Sequence, residues 1–546
     1  MTPDRVSRRT LSENVFGATV WNTLLLPAKA AVSLVTSVVY YSGILSRSEV
    51  AMVFLLQGVA NTLGLYVDLG IERSLPRFLP EVEQARGAGG VRRLLRRAIE
   101  VKLLVLIPVV VGLFAFSHRV MSYLAEKQAQ NASAPAAQAG RDVVAALPEL
   151  RLGFCFAVAG LLVAGALHDV FMQTLNAFFR RREWNTIAMV SGLLQPILLA
   201  VAVLLGTGLP GVLAALVATA LFGLVLSARA ANELLPRLGP PPEPPRPLAP
   251  VLPRFVRFAG LSWLIQLTGW FYDVPLLVLF AAQAMPLAQV ALLGFAYKFA
   301  RDFVLYVTAP LVGVLTPALV LVKTRESPGA LQDAQASLTR IVWLLVLPAG
   351  VGLSFVTLHL VAALYPDYRE AAPLAVVFVV FVFAEPLLSV PQTVAMVFDR
   401  YRAVLSSRAL ALASIPLLAW LTPRFGLTGA AVAVGIGRIL PPLALVIYTA
   451  RAMDLRPPLA FLARVTASSL GMAVGLAMAL GRLPLPAPGS SVAARIGGAL
   501  PVLGIAAGGA LLFLALLRLL GGLEPEDRRR LLALNLPARN LLARLV

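Results

Sequence analysis

Residues 287–321 read LAQVALLGFAYKFARDFVLYVTAPLVGVLTPALVL, an apolar run interrupted near its middle by Lys298, Arg301 and Asp302. About 20 apolar residues suffice to cross the roughly 30 Å hydrocarbon core of a bilayer, so this run is a membrane-spanning helix by length and composition. The three charged residues stand at i, i+3 and i+4, which puts two cations and one carboxylate on one helix face. A cation near the bilayer centre costs roughly 2.5 to 3.5 kcal/mol on insertion scales. Lys29 and Arg438 lie comparably deep in other apolar segments. At about 1.5 Å per residue, Lys298 and Arg438 are roughly 16 Å from one boundary and Lys29 roughly 20 Å from the other, so all three approach the midplane. At least one of the four cations is expected to line a hydrated cavity, which points to a pathway for something negatively charged. The plainer reading of any single one is an ion pair with an intramembrane acid, for which Asp68, Asp169, Asp273, Asp302 and Glu385 are available.

The composition of all 546 residues agrees: hydrophobic residues make up 59%, charged residues 14%, and the mean hydropathy is +0.82. These are the values of a multispanning membrane protein. About fourteen spans of some 20 or more residues are read. They lie near 16–43, 50–75, 101–124, 151–178, 184–206, 208–234, 255–283, 287–321, 338–364, 371–397, 403–422, 427–450, 459–481 and 496–520. Both termini then fall on one side, with the arginines between Arg77 and Arg97, Arg180 to Arg182, Arg400, Arg402, Arg451 and Arg528 to Arg530. The other side carries mostly isolated basic residues such as Arg47, Arg369 and Arg424. Positive-inside bias therefore places both ends in the cytoplasm. The net charge of +20 reads as a topology signal with anionic membrane lipids as partners, and no nucleic acid is expected. The basic stretch Met1 to Arg9 precedes a run too long for a secretory signal, so nothing is expected to be removed.

Residues 239–252 form a Pro-rich spacer that cannot be helical and divides the chain after the sixth span. The expected organisation is an N-terminal bundle over 1–238, the linker, a C-terminal bundle over 253–456, two further spans within 457–521 and an amphipathic tail over 522–546. An internal repeat supports two six-helix halves. A shift of 240 aligns Val50-Ala51 with Val290-Ala291 and Leu65-Tyr66-Val67 with Leu305-Tyr306-Val307. A shift of 220 brings Phe178, Arg180 and Arg182 onto Phe398, Arg400 and Arg402. Binding is then expected between the halves near the midplane. Arg77 to Arg97 reads as a basic amphipathic helix on the membrane surface.

Enzymatic signatures are missing. The chain has no phosphate-binding Gly-rich loop and no His-Glu-x-x-His, its histidines are His118, His168 and His359, and its one cysteine, Cys155, lies in an apolar run. No cofactor or metal is expected. His168-Asp169 in the fourth span is a candidate proton relay or a structural hydrogen-bonding pair, since neighbouring helix residues point about 100° apart. Asn61, Gln266 and Trp270 are candidates for contacts with sugar rings or for interhelical hydrogen bonds.

The stretch Asp68-Leu-Gly-Ile-Glu-Arg-Ser-Leu-Pro-Arg-Phe-Leu-Pro-Glu81 resembles the second-span signature of bacterial polysaccharide-biosynthesis flippases. Leu293-Gly-Phe-Ala-Tyr-Lys-Phe-Ala300 and Tyr272-Asp-Val-Pro-Leu-Leu-Val-Leu279 resemble the eighth and seventh spans of that family, within the multidrug/oligosaccharidyl-lipid/polysaccharide exporter superfamily. The resemblance runs from about residue 14 to 455 and contains no catalytic string. It implies an all-α inner-membrane flippase that moves undecaprenyl-diphosphate-linked glycans to the periplasmic leaflet by alternating access. It also implies work alongside polysaccharide polymerase and export machinery. On that reading Lys29, Lys298, Arg301 and Arg438 hold the diphosphate, because arginine forks onto phosphate oxygens and lysine supplies a point charge. Asn61, Tyr66, Gln266 and Trp270 contact substrate, and Asp68, Asp273, Glu385, His168 and Asp169 are ion-coupling candidates. In the lipid II flippase branch the last two spans shape a groove for the lipid tail, and segments 459–481 and 496–520 stand in their place; helices that merely pack on the second half are the other reading.

A cation-coupled multidrug antiporter of the same superfamily would show acidic residues dominating its cavity. A membrane-embedded glycan polymerase or ligase would need a large outer loop, for which 125–150 is short. A non-transporting assembly scaffold remains compatible with the sequence.

Overall fold

The computed structural model describes residues 29–131, 138–178, 180–238, 251–271, 273–325, 329–485 and 491–521. Its regular structure there is helical: α1 (Lys29–Tyr40), α2 (Arg47–Asp68), α3 (Ile71–Asn131), α4 (Gln138–Ala177), α5 (Arg181–Leu204), α6 (Gly208–Leu234), α7 (Val251–Trp270) and α8 (Val274–Ala284) are followed by α9 (Leu287–Arg325), α10 (Ala330–Leu364), α11 (Ala372–Leu387), α12 (Ser389–Val397), α13 (Tyr401–Ala409), α14 (Ser414–Ala452), α15 (Leu459–Leu480) and α16 (Val492–Leu519). Among the described residues 10 helices are long and apolar enough to cross a membrane, or up to 11 with the bent pair of α7 and α8 counted as one span. The chain is a multi-pass membrane protein. All fourteen predicted spans fall at least in part on these helices, although residues 16–28 of the first, and the tail over 522–546, lie outside the described residues.

The helix breaks follow local chemistry. A reciprocal cap opens α2: the Glu49 amide donates to Ser46 Oγ (3.2 Å) and the Ser46 amide donates to Glu49 Oε2 (2.8 Å). The helix closes at Leu69 and Gly70, both left-handed (φ 51° and 71°). A Cβ at Gly70 would collide with the carbonyl oxygen of Ala259 in α7, so only glycine fits there. The surface helix and the third span, read as separate elements, join into α3; its one non-helical residue is Gly87 (φ 59°, ψ −165°), upstream of the boundary expected near residue 100. The seventh span, read as unbroken, is bent by 40° between α7 and α8. Pro275 lies at the start of α8 and biases the residue before it away from helical geometry. The tenth span is likewise divided, at Leu388.

Two compact units emerge: Met1–Trp270 with Val274–Ala291, and Phe271–Asp273 with Leu292–Val546. The division differs from the one expected at 239–252, because α7 packs on the first unit instead of opening the second. Phe255 and Ala259 of α7 join Leu75, Phe78 and Leu79 of α3 and Val170 of α4 in one buried cluster. The Arg254 guanidinium makes a paired contact with Glu81 (2.7 and 3.3 Å), and that of Arg77 lies 4.7 Å over the Phe258 ring. The linker itself lies outside the described residues as far as residue 250.

In the second unit the helices interlock through small residues, as membrane helices do in the absence of a water-driven hydrophobic effect. Phe383 of α11 fits against Gly350 of α10, Phe381 against Gly435 of α14, and Leu516 and Leu512 of α16 against Gly471 and Gly475 of α15. α15 and α16 also pack on α10.

The sequence matches between halves have local structural counterparts. α2 begins at Arg47 and α9 at Leu287, 240 residues apart. At the other match the Arg180 amide donates to the Leu175 carbonyl (2.9 Å) and the Arg400 amide to the Ala395 carbonyl (2.8 Å). The same tight turn thus links α4 to α5 and α12 to α13.

Candidate functional site

Each unit contains a centre of charged side chains. In the first, Asp68 ends α2 and caps α3: its carboxylate accepts from the amides of Gly70 and Glu72 (both 3.2 Å) and from Gln266 Nε2 of α7 (2.9 Å). The side chain of Lys102, in α3, is 1% exposed. Its ammonium forms an ion pair with Glu72, lies 3.6 Å from Asp68 Oδ1 and donates to the Ala166 carbonyl of α4 (3.2 Å). Asp169 follows Ala166 by about one turn of α4. His168 turns away to α6, where Nδ1 is hydrogen-bonded to Ser227 Oγ (3.0 Å) beside Gly223.

Three polar side chains of α7, spaced along one face, fasten it to α2. Trp263 Nε1 donates to the Leu65 carbonyl (2.8 Å), Gln266 to Asp68, and Trp270 Nε1 to Thr62 Oγ1 (2.8 Å). Gln266 and Trp270 thus make interhelical bonds, while Asn61 and Tyr66 of α2 are exposed. Lys29 is partly buried, its ammonium lying against Gly192 of α5.

The second unit holds a linear network. Phe271 and Asp273, from the bend after α7, accept hydrogen bonds from Ser414 Oγ of α14 and from Tyr297 OH of α9 (2.9 Å for the latter). Arg438 Nη1 of α14 donates to the same Tyr297 oxygen (2.8 Å), and its Nε pairs with Glu385 of α11. The side chain of Arg438 is 13% exposed and Tyr297 is 1% exposed. Arg438 is therefore an engaged, buried cation rather than an open one.

Lys298 and Arg301 differ. Both are exposed although their neighbours Tyr297, Phe299 and Ala300 are buried, and with Asp302 they form one stripe along α9. Lys298 pairs with Asp302 at 2.7 Å, the two side chains being 46% and 38% exposed. No described residue pairs with Arg301.

Lys102 and Tyr297 are the residues that sequence reasoning missed. Lys102 stands one residue inside the third predicted span, at its edge, and depth alone does not single it out. The signal was the motif itself, which sets Asp68 and Glu72 one turn apart in an apolar setting and so demands a cation.

No protein-family model and no curated protein sequence matches the chain. Solved structures do. A lipid II flippase MurJ in an inward closed conformation superposes with a TM-score of 0.63 at 13% identity, covering 90% of this chain and 99% of that one. An inward-facing multidrug resistance MATE transporter of the MOP superfamily gives 0.56 at 16% identity, covering 78% and 94%. The chain has the fold of the MOP superfamily. A MATE transporter in the bent conformation adds 0.52 at 14% identity over 81% of this chain and 96% of that one. The MurJ superposition extends through nearly the whole of that protein.

Proposed function

We propose that this protein is a flippase for undecaprenyl-diphosphate-linked oligosaccharides, carrying them from the cytoplasmic to the periplasmic leaflet by alternating access of two repeat-related bundles. The observation that carries the reading is the exposed Lys298–Arg301 stripe on a helix otherwise buried at that level, in a fold shared with a lipid II flippase. A guanidinium fork beside an ammonium suits a diphosphate, and the nearby Asp302 moderates the charge so that a bound anion is released. Lys29 contributes a further cation. Arg438, already paired with Glu385, holds Tyr297 and Asp273 in place behind the stripe. Asn61 and Tyr66 are the exposed candidates for glycan contacts. The chain then resides in a bacterial inner membrane with both termini cytoplasmic, in the service of surface polysaccharide export.

A cation-coupled antiporter of the same fold is the second reading. It is favoured by the two carboxylates, Asp68 and Glu72, that face the one ammonium of Lys102. In the flippase reading the same acids, with Asp273 and Glu385, are the coupling-ion candidates.

Reconstitution into liposomes with fluorescent undecaprenyl-diphosphate sugars separates the two. Leaflet exchange by the parent and its loss in a Lys298→Ala/Arg301→Ala variant are expected. Equal exchange by the variant would discard the site, and drug efflux without glycan exchange would favour the antiporter.

A further inference from the structure

A cavity lies in the first unit, away from the charge centres. Between α2, α3, α4 and α8 is a cavity of about 300 Å³ walled by Leu55, Val59, Phe154, Leu279 and Ala282, with Tyr123 at its mouth. That is the lower end of small-molecule site volumes. Its one charged lining residue is Arg119, which is exposed and pairs with no described residue. A shallow groove continues from the mouth along α3, lined by His118, Arg119, Ser122, Tyr123 and Glu126. Within it Ser122 Oγ lies 2.9 Å from His118 Nδ1, and the Lys127 ammonium lies 5.9 Å from the Tyr123 ring centre.

Depth identifies the setting. Arg119 follows Arg97 by 22 residues of continuous helix, about 33 Å, close to the roughly 30 Å thickness of a hydrocarbon core. The face between them exposes Leu104, Ile107, Val111 and Phe116. Arg119 therefore stands at the membrane boundary opposite the arginine-rich end of α3, with an apolar cavity directly beneath it.

We propose that this cavity holds one acyl chain of an anionic phospholipid whose phosphodiester is gripped by Arg119. A lipid tail gains little by leaving other tails for an apolar cavity, so the cavity fixes position while the guanidinium fork supplies selectivity. Glu126 in the same groove disfavours a second negative charge there and limits the site to one headgroup. The site is independent of the transported substrate.

The test is native mass spectrometry of the delipidated full chain, titrated with phosphatidylglycerol, with phosphatidylcholine of matched tails, and with glycerol phosphate. The parent is expected to retain one phosphatidylglycerol that matched phosphatidylcholine does not displace. Arg119→Gln weakens that one molecule by about tenfold, while lipids held by exposed arginines such as Arg92 persist. Val59→Phe, which fills the cavity and leaves the cation, also removes it, and Arg119→Lys restores part of the binding. Four outcomes would overturn the proposal: equal retention of the two lipids, unchanged binding in Arg119→Gln, unchanged binding in Val59→Phe, or equal binding of glycerol phosphate. No retained lipid at all, as when a segment of this chain fills the cavity, would also overturn it.

Discussion

In the first unit the buried ammonium of Lys102 faces Glu72 and Asp68, with Asp169 one turn from its carbonyl contact. In the second the buried guanidinium of Arg438 faces Glu385 and shares the hydroxyl of Tyr297 with Asp273. Both centres set two carboxylates around one buried cation, and the second adds an exposed cationic stripe along α9. The contrast shows that burial separates two classes of intramembrane cation. Those with no access to solvent are matched by carboxylates and hold helices together, because an unpaired buried charge is prohibitive. Those left exposed have charge to spare for a ligand.

The comparison breaks most severely at Lys102. Lys102→Met strands Glu72 and Asp68 without a cation, and is expected to destabilise the protein by about 3–5 kcal/mol. Thermal unfolding in detergent checks this, and adding Glu72→Gln should recover part of the loss. Arg438→Met is expected to have a smaller effect, toward the lower end of that range, because Glu385 is 34% exposed and partly solvated once released. A double-mutant cycle with Glu385→Gln measures the coupling.

Trp270→Phe, which removes the donor to Thr62 and keeps the ring, should cost about 1 kcal/mol by the same assay. A substrate role for that nitrogen would instead leave stability unchanged and reduce exchange. Smallest in stability is Lys298→Ala, where an exposed i, i+4 pair contributes less than about 1 kcal/mol. Its expected signature is normal folding with impaired transport, the inverse of Lys102→Met.

Most of the fold was legible because a hydrocarbon core imposes a length on apolar runs, and among the described residues every predicted span falls at least in part on a helix. The breaks were less so. Gly87 and Gly70 turn the chain through left-handed conformations that any flexible glycine permits and only packing selects. The bend before Pro275 had a local signal in the proline, yet the assignment of α7 to the first unit depends on Phe255 and Trp263 finding partners far away in sequence. At the candidate site, sequence located Lys298, Arg301 and Arg438 by depth but gave no means to tell which were already paired. Gln266 and Trp270 read equally as sugar contacts or as interhelical bonds because amide and indole serve either role, and the bonds to Asp68 and Thr62 appear only once the helices are packed.

The claim that the exposed stripe on α9 receives an anion is tested most directly by binding. Purified parent and Lys298→Ala/Arg301→Ala protein would be titrated with a short-chain prenyl diphosphate and with the matching prenyl alcohol. The account predicts that the diphosphate binds the parent at least about tenfold more tightly than it binds the variant, with the alcohol indifferent to the substitution. Equal diphosphate binding by both proteins would contradict it.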